Sequence, residues 1–492
     1  MRLDPRKIII DFLLGSITLF AALILSGCAA VGPDYLPPDP TVLPAWHTPL
    51  EGGLTPGDMD PQMLANWWTT LNDPELSSLI ERAVAGNLDL KKAGAKVREA
   101  RARRGISRAD LFPTLDATGS ATRSRGSEET GGGKTRELYA AGFDAGWEVD
   151  IFGGLQRSIE EAEANLQASR EGLRDVLVSL VSEVALNYVE ARTYQARLAV
   201  AEANLKAQQE TCELTRWRYE AGLSDELALE QARYNLESTR SQIPTLRSGL
   251  DETKNRLAIL LGERPGMIHK ELEERKPIPV TPLEVAVGVP ADTLRRRPDI
   301  RKAERELAAQ TARIGVATAD LYPRFTLKGS IGLEALSPGN WISYGSRSSS
   351  IGPRVTWAVF DAGAIRKNIE VQSALQEQAL IQYETALLSA LEEVENALVA
   401  YANEQVRRQS LLEASQAAQR AAKLARDRYA AGLIDFQVVL DAERSLLSLQ
   451  SQLAESDGKV TSNLIALYKA LGGGWTSLTL DDKTSILVGE RK

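Results

Sequence analysis

Residues 218–225 read Arg218-Tyr219-Glu220-Ala221-Gly222-Leu223-Ser224-Asp225, and residues 428–435 read Arg428-Tyr429-Ala430-Ala431-Gly432-Leu433-Ile434-Asp435. The same shift of 210 residues relates other stretches. Ala109-Asp110-Leu111-Phe112-Pro113 returns as Ala319-Asp320-Leu321-Tyr322-Pro323, and Gly119-Ser120 as Gly329-Ser330. Trp147, Gly153, Ile159-Glu160 and Leu261-Gly262 return as Trp357, Gly363, Ile369-Glu370 and Leu471-Gly472. Chance supplies one such pair, not several at a fixed spacing. The chain therefore reads as a duplication without gaps, from about Asn87 to Gly262 in its first copy.

Both copies follow one order of elements. A helical stretch (about Pro74–Asp110, then Asp292–Asp320) ends before Pro113 or Pro323, because a residue preceding proline is driven out of the helical region. Two strands follow, expected at about 112–125 and 138–151 and again at about 322–335 and 350–361. Long helices then span 154–221 and 364–431, uninterrupted by proline. At 1.5 Å per residue they reach roughly 100 Å, the scale of a coiled coil or helical barrel. Gly222 and Gly432 permit positive φ at a tight reversal. Asp225 and Asp435 suit the N-caps of return helices at 225–262 and 435–471, which end on glycine as helices commonly do.

The strands alternate. Phe143, Ala145, Trp147 and Val149 are interleaved with Asp144, Gly146, Glu148 and Asp150. Phe325, Leu327, Ile331 and Leu333 alternate with Thr326, Lys328, Ser330 and Glu334. Ile351, Val355, Trp357 and Val359 alternate with Gly352, Arg354, Thr356 and Ala358. About ten residues of period two fit a tilted transmembrane strand. A half-buried strand of a soluble sandwich shows the same alternation, and the start of the chain favours the membrane. Arg2, Arg6 and Lys7 precede a mostly apolar run, which closes on Leu25-Ser26-Gly27-Cys28. That order resembles a secretory signal ending in a bacterial lipoprotein box, against the alternative of a plain signal with a chance cysteine. It implies removal of residues 1–27 and acylation of Cys28. Several acyl chains hold a protein on a bilayer far better than one. Ala29, where aspartate would favour inner-membrane retention, points to the outer membrane.

No stretch after Cys28 approaches the ~20 apolar residues of a membrane helix, so any crossing falls to strands. Four strands are too few for a barrel, which needs about eight, and an open edge is not viable in lipid. Several subunits must therefore share one barrel.

Composition excludes other classes. A net charge of −8 argues against a nucleic-acid partner. Two cysteines and the isolated His47 and His269 offer neither a metal cluster nor a Ser/His/Asp set, so no enzyme and no cofactor beyond the lipid on Cys28 is expected. Arg295-Arg296-Arg297 precedes Pro298 and Asp299, a helix start rather than a nucleic-acid patch. Gly131-Gly132-Gly133, between two strands, reads as an extracellular loop, and Cys212 in the long helix as inert.

Cys28-Ala-Ala-Val-Gly-Pro-Asp-Tyr35, Trp67-Trp68, Asp73-Pro74-Glu75-Leu76, Asn87-Leu88-Asp89-Leu90 and Arg296-Arg297-Pro298-Asp299-Ile300 resemble the TolC-like outer-membrane factors of tripartite efflux systems, in the NodT-type lipoprotein branch. The resemblance covers essentially the whole mature chain. It implies a mixed α/β membrane protein: a homotrimer with a shared 12-stranded barrel in outer-membrane lipid and a periplasmic helical barrel. It implies a passive exit duct for small molecules, joined through a periplasmic adaptor to an inner-membrane pump of RND type. It places adaptor docking at the hairpin tips (Gly222, Leu223, Asp225 and Gly432, Leu433, Asp435). It also places a periplasmic gate at Asp441, with Val438 where some members carry a second acid, and Tyr429 as a residue that helps hold the tips closed. The usual charged partners of that tyrosine are absent, since Ala228 and Ile434 stand there, and the repeat equivalent of Asp441 is the neutral Gln231. The expected organisation is signal 1–27, lipidated segment 28–72 on the outside of the duct, first copy 73–275, linker 276–289, second copy 290–475 and tail 476–492. The competing class is a non-channel periplasmic coiled-coil lipoprotein, an adaptor or scaffold. Nothing in the sequence names the cargo.

Overall fold

The structure is a computed structural model that describes residues 30–39, 44–57, 60–279 and 285–475. The signal, Cys28 and the tail 476–492 lie outside the described residues. The helices are α1 (Pro61–Ala65), α2 (Pro74–Gly86), α3 (Leu88–Ala109), α4 (Glu128–Gly131), α5 (Gly154–Glu220), α6 (Glu226–Leu260), α7 (Pro290–Arg296), α8 (Pro298–Ala319), α9 (Ala364–Ala430) and α10 (Phe436–Ala470). The strands are β1 (Leu54–Pro56), β2 (Thr114–Arg125), β3 (Thr135–Val149), β4 (Val285–Val287), β5 (Arg324–Ala335) and β6 (Arg347–Thr356). The helix lengths recur: α3 and α8 have 22 residues each, α5 and α9 have 67, and α6 and α10 have 35.

Several expectations need correction. Each leading helical stretch is two helices, broken at Asn87 and at Arg297. Arg297 precedes Pro298 and is extended (φ −65°, ψ 124°), as a pre-proline residue should be. Asn87 (φ −56°, ψ 132°) turns the chain, and its side-chain oxygen accepts the Leu90 N–H at 2.9 Å. The fourth strand ends at Thr356, so Trp357 and Val359 lie beyond it. Arg324 pairs with Thr356, and the next residue outward on β5 would be Pro323, which has no N–H to extend the ladder. Trp357 instead donates its indole N–H to the Leu321 carbonyl at 3.0 Å, as Trp147 does to Leu111 at 2.9 Å. Asp150 likewise falls after β3, and the 276–289 linker contains β4, which pairs in parallel with β1.

The chain divides into two compact units, and each takes segments from both copies. Among the described residues the first comprises 30–39, 97–169 and 302–384. Its centre is an antiparallel sheet in the order β2-β3-β5-β6. Phe152 stacks on Tyr322 (centroids 4.6 Å) where strands meet helices. There the buried Arg157 gathers the first described residues of the chain. Its guanidinium donates to the Val31 carbonyl (3.1 Å) and to Asp34 (2.7 Å), and is braced by Glu160 (2.8 Å). A Cβ on Gly32 would come within 2.5 Å of the Gly315 backbone, and one on Gly315 within 2.7 Å of the Arg157 side chain. The N-terminal segment thus lies in a seat that only small residues allow.

The second unit comprises, among the described residues, 44–57, 60–96, 170–279, 285–301 and 385–475. Trp67, fully buried, stacks on Tyr468 (5.6 Å). Burying an aromatic of this size contributes about 3 kcal/mol. Asp73 caps α2 through the Glu75 and Leu76 N–H groups and accepts a hydrogen bond from the Tyr188 hydroxyl at 2.7 Å. Buried Arg192 pairs with Glu75 at 2.7 Å. The two breaks have matching jobs. Asn87 donates to the Leu260 carbonyl at the end of α6, and Arg297 to the Ala470 carbonyl at the end of α10, each at 2.9 Å. Donors of quite different chemistry satisfy equivalent orphan carbonyls of two helix C-termini.

Candidate functional site

The two hairpins, α5–α6 and α9–α10, are built by one local rule. Tyr219 C=O accepts the Gly222 N–H and Arg218 C=O the Leu223 N–H (2.9 and 2.7 Å); Tyr429 and Arg428 do the same for Gly432 and Leu433 (2.9 Å each). This double hydrogen bond is a Schellman cap, which requires a left-handed residue. Gly222 and Gly432 supply it, with φ of 71° and 74°. Asp225 caps α6 by accepting the Ala228 N–H at 2.8 Å. Asp435 does not match it: its side chain makes no capping bond, and its backbone carbonyl receives the Val438 N–H instead.

The hairpins differ in what they bury. Tyr429 is 3 % exposed and its counterpart Tyr219 is 40 % exposed. Tyr429 packs edge-on against Phe436 (5.6 Å) in an apolar cluster with Ala228, Ala232, Val439 and Leu440. The residue across from it is one that sequence reasoning missed. Arg218 lies over the Tyr429 ring at 4.8 Å and donates to the Tyr429 carbonyl at 2.7 Å. It brings cation–π attraction and a positive charge to the C-terminus of α9. The Tyr429 hydroxyl is buried without a hydrogen-bond partner.

Asp441 is exposed, with only Gln437 donating to it (3.1 Å), and Val438 is half exposed. Two residues past Asp441, on the other side of α10, Glu443 is in contrast buried. Thr211 donates to it at 2.7 Å and Asn235 at 3.5 Å. Burial pushes this carboxyl up from its ordinary range, against the hydrogen bond from Thr211 and the charge of Arg426. The sequence held a signal, since the repeat equivalent of Glu443 is Arg233. Burial likewise raises the Cys212 thiol, which suits an inert residue. Around the turns Trp217, Leu223, Leu227, Tyr234 and Leu433 are exposed, a concentration of large apolar side chains that marks an interaction surface.

Comparison with known proteins adds a family. The family model described as outer membrane efflux protein matches residues 79–263 and again 289–473, two segments related by the same shift of 210. The chain belongs to the outer membrane efflux protein family. Nodulation protein T of Rhizobium leguminosarum bv. trifolii is 36 % identical over 470 residues, covering 93 % of this chain and 97 % of that protein. The solvent efflux pump outer membrane protein SrpC of Pseudomonas putida is 33 % identical over 471 residues, covering 94 % and 98 %. The solved outer-membrane channel OprN superposes with a TM-score of 0.85 at 36 % identity, covering 90 % of this chain and 99 % of that one. This member of the family is thus an outer-membrane efflux protein of the TolC-like type.

Proposed function

We propose that three copies of this chain form a passive exit duct, the outer-membrane component of a tripartite efflux assembly. Each copy supplies four strands to one 12-stranded barrel. The long helices form a periplasmic tunnel, and Cys28 carries the lipid anchor. The hairpins at Gly222 and Gly432 receive a periplasmic adaptor that links the duct to an inner-membrane pump of RND type, and no catalytic role is assigned to any residue. The internal duplication supplies two equivalent wall segments per subunit.

The sheet carries this reading. Among the described residues β2 and β6 each have one neighbour, so two ladders of N–H and C=O groups stay open. In lipid each unsatisfied group costs several kcal/mol, and β6 of one copy against β2 of the next removes that cost. The register puts Phe143, Ile331 and Leu327 on one face and Asp144, Ser330 and Lys328 on the other, as a wall between lipid and water requires. No described helix is long and apolar enough to cross a membrane. A stripe on α9 supports self-association. Leu388, Val399, Val406 and Leu424 are exposed and separated by 11, 7 and 18 residues, close to whole numbers of helical turns.

Asp441 of each copy, exposed near the hairpin, supplies one carboxylate to an axial ring, and converging like charges attract cations. The decisive measurement is planar-bilayer conductance of purified trimer. Pores are expected, and Asp441→Ala should raise conductance or weaken cation block. Absence of any pore refutes the duct and favours a periplasmic scaffold lipoprotein; unchanged conductance and block in the variant refute the gate assignment alone.

A further inference from the structure

The apolar face of the sheet carries charge at one end only. Odd-numbered residues share this face, as the partners Ala117, Phe143, Ile331 and Ser349 show across the four strands. Its only charged residues are Arg123, Arg125, Glu137 and Arg347. All four lie where β2 connects to β3 and β5 to β6. The end that joins the helices has Leu115, Trp147, Val149, Phe325 and Val355 on this face, all uncharged. The even-numbered face is balanced, with four basic and four acidic residues scattered along it.

The arginines are presented rather than consumed. The side chains of Arg123 and Arg125 are 74 % and 66 % exposed. Arg123 stands 3.6 Å from Glu137, and Arg125 3.2 Å from Glu128 in the connecting loop. Arg347 lies over the exposed Tyr344 ring at 4.5 Å. Counting Glu128, Glu129 and Lys134 of the loop with the face, this end remains net positive. A guanidinium beside an apolar surface needs an anionic partner, and its planar fork fits phosphate oxygens two at a time.

We propose that Arg123, Arg125 and Arg347 form, on each copy, a binding surface for the phosphate groups of lipid headgroups in the outer leaflet. This rests on the reading of the sheet as a barrel wall. A free anion would have no reason to prefer the odd face, because Arg324 and Arg354 present guanidinium groups on the even one. An amphiphile does: its chains cover Phe143, Ile331 and Ile351 while its phosphates reach the arginines on the same side.

The test measures binding of bis-phosphorylated lipid A, and of its dephosphorylated form, to purified full-length trimer. The variants are Arg123→Gln/Arg125→Gln/Arg347→Gln together and, on the other face, Arg354→Gln. The triple variant should bind lipid A at least about tenfold more weakly, since each basic residue near a charged surface contributes about that order of effect. It should bind the dephosphorylated lipid like the parent. Arg354→Gln should match the parent with both lipids, and millimolar inorganic phosphate should not compete. Equal lipid A binding by parent and triple variant overturns the proposal. So does equal loss in Arg354→Gln, which would mean unspecific charge, or competition by inorganic phosphate, which would mean a free-anion site. If the triple variant does not trimerise, Arg123→Gln and Arg347→Gln are measured singly; each should weaken lipid A binding severalfold, and no change in either overturns the proposal. Failure of the parent to form pores would instead refute the barrel wall, independently of the lipid result.

Discussion

Glu443 of α10 is held against α5 and α6 by Thr211 and Asn235, and the charge of Arg426 on α9 acts on it. Its raised pKa has a definite sign. A carboxyl that binds its proton more tightly in the folded protein contributes stability that is fully present below the unfolded value of about 4.3 and is lost as pH rises through the folded value. The hairpin region is therefore expected to melt more readily at pH 7.5 than at pH 5. Glu443→Gln keeps the shape and most hydrogen bonds but removes the ionisation. It should flatten that slope and raise the melting temperature at neutral pH. Melting curves of parent and variant across this window check it, and an unchanged slope in the variant sinks the assignment. At this scale the sequence revealed residues that act on their own backbone. Gly222, Gly432 and Asp225 were legible because their task is local. Arg218 was not, because it acts on Tyr429, 211 residues away. Glu443 meets Thr211 over 232 residues, and only its departure from the repeat, opposite Arg233, hinted at a special setting.

Among the elements, the four long hairpin helices end identically, on glycines with φ between 71° and 77° at 222, 262, 432 and 472. Their tolerance should differ. A Cβ on Gly222 meets nothing within 4 Å, and one on Gly432 meets only the Arg218 side chain, at 3.6 Å. A Cβ on Gly262 would lie 2.3 Å from the Gly86 carbonyl oxygen. Valine at 222 or 432 is thus expected to cost about 1–2 kcal/mol, the conformational penalty of the left-handed region alone. Hydrogen exchange should quicken in residues 215–230 or 425–440, efflux should fall, and the trimer should survive. Full efflux with both substitutions would argue against docking at the tips. Gly262→Ala should be worse than either, by loss of folded protein on expression. The long helices were readable almost to the residue, 154–221 against Gly154–Glu220, because length without proline or tight turns leaves little else to form. The break at Asn87 was not; the one at Arg297 was only half legible, since Pro298 reads as a helix start while the apolar pattern runs on from Asp292. A helix interrupted for a single residue keeps its apolar rhythm on both sides, and rhythm was the guide.

For the molecule as a whole, the stripe on α9 makes the strongest demand. Leu388, Val399, Val406 and Leu424, still 44–65 % exposed, gain about 1–2 kcal/mol each when a neighbouring copy covers them. Leu388→Arg with Val406→Arg should convert trimer to monomer in light-scattering measurements while leaving helix content intact. A stable trimer would show that this face looks elsewhere. The family and the outer-membrane address were legible from the motifs at the mature start and the repeat. Subunit number was not legible from residues, because no single chain contains the surface that closes on itself.

The open edges of β2 and β6 have a genetic corollary. In the barrel proposed above, shared by three chains, no strand is private, so one faulty edge spoils the whole ring. In a cell making intact and edge-damaged copies in equal amounts, random assembly leaves only about one ring in eight free of damage. Alleles that ruin β2 or β6 should therefore behave as dominant, whereas those that abolish synthesis should be recessive.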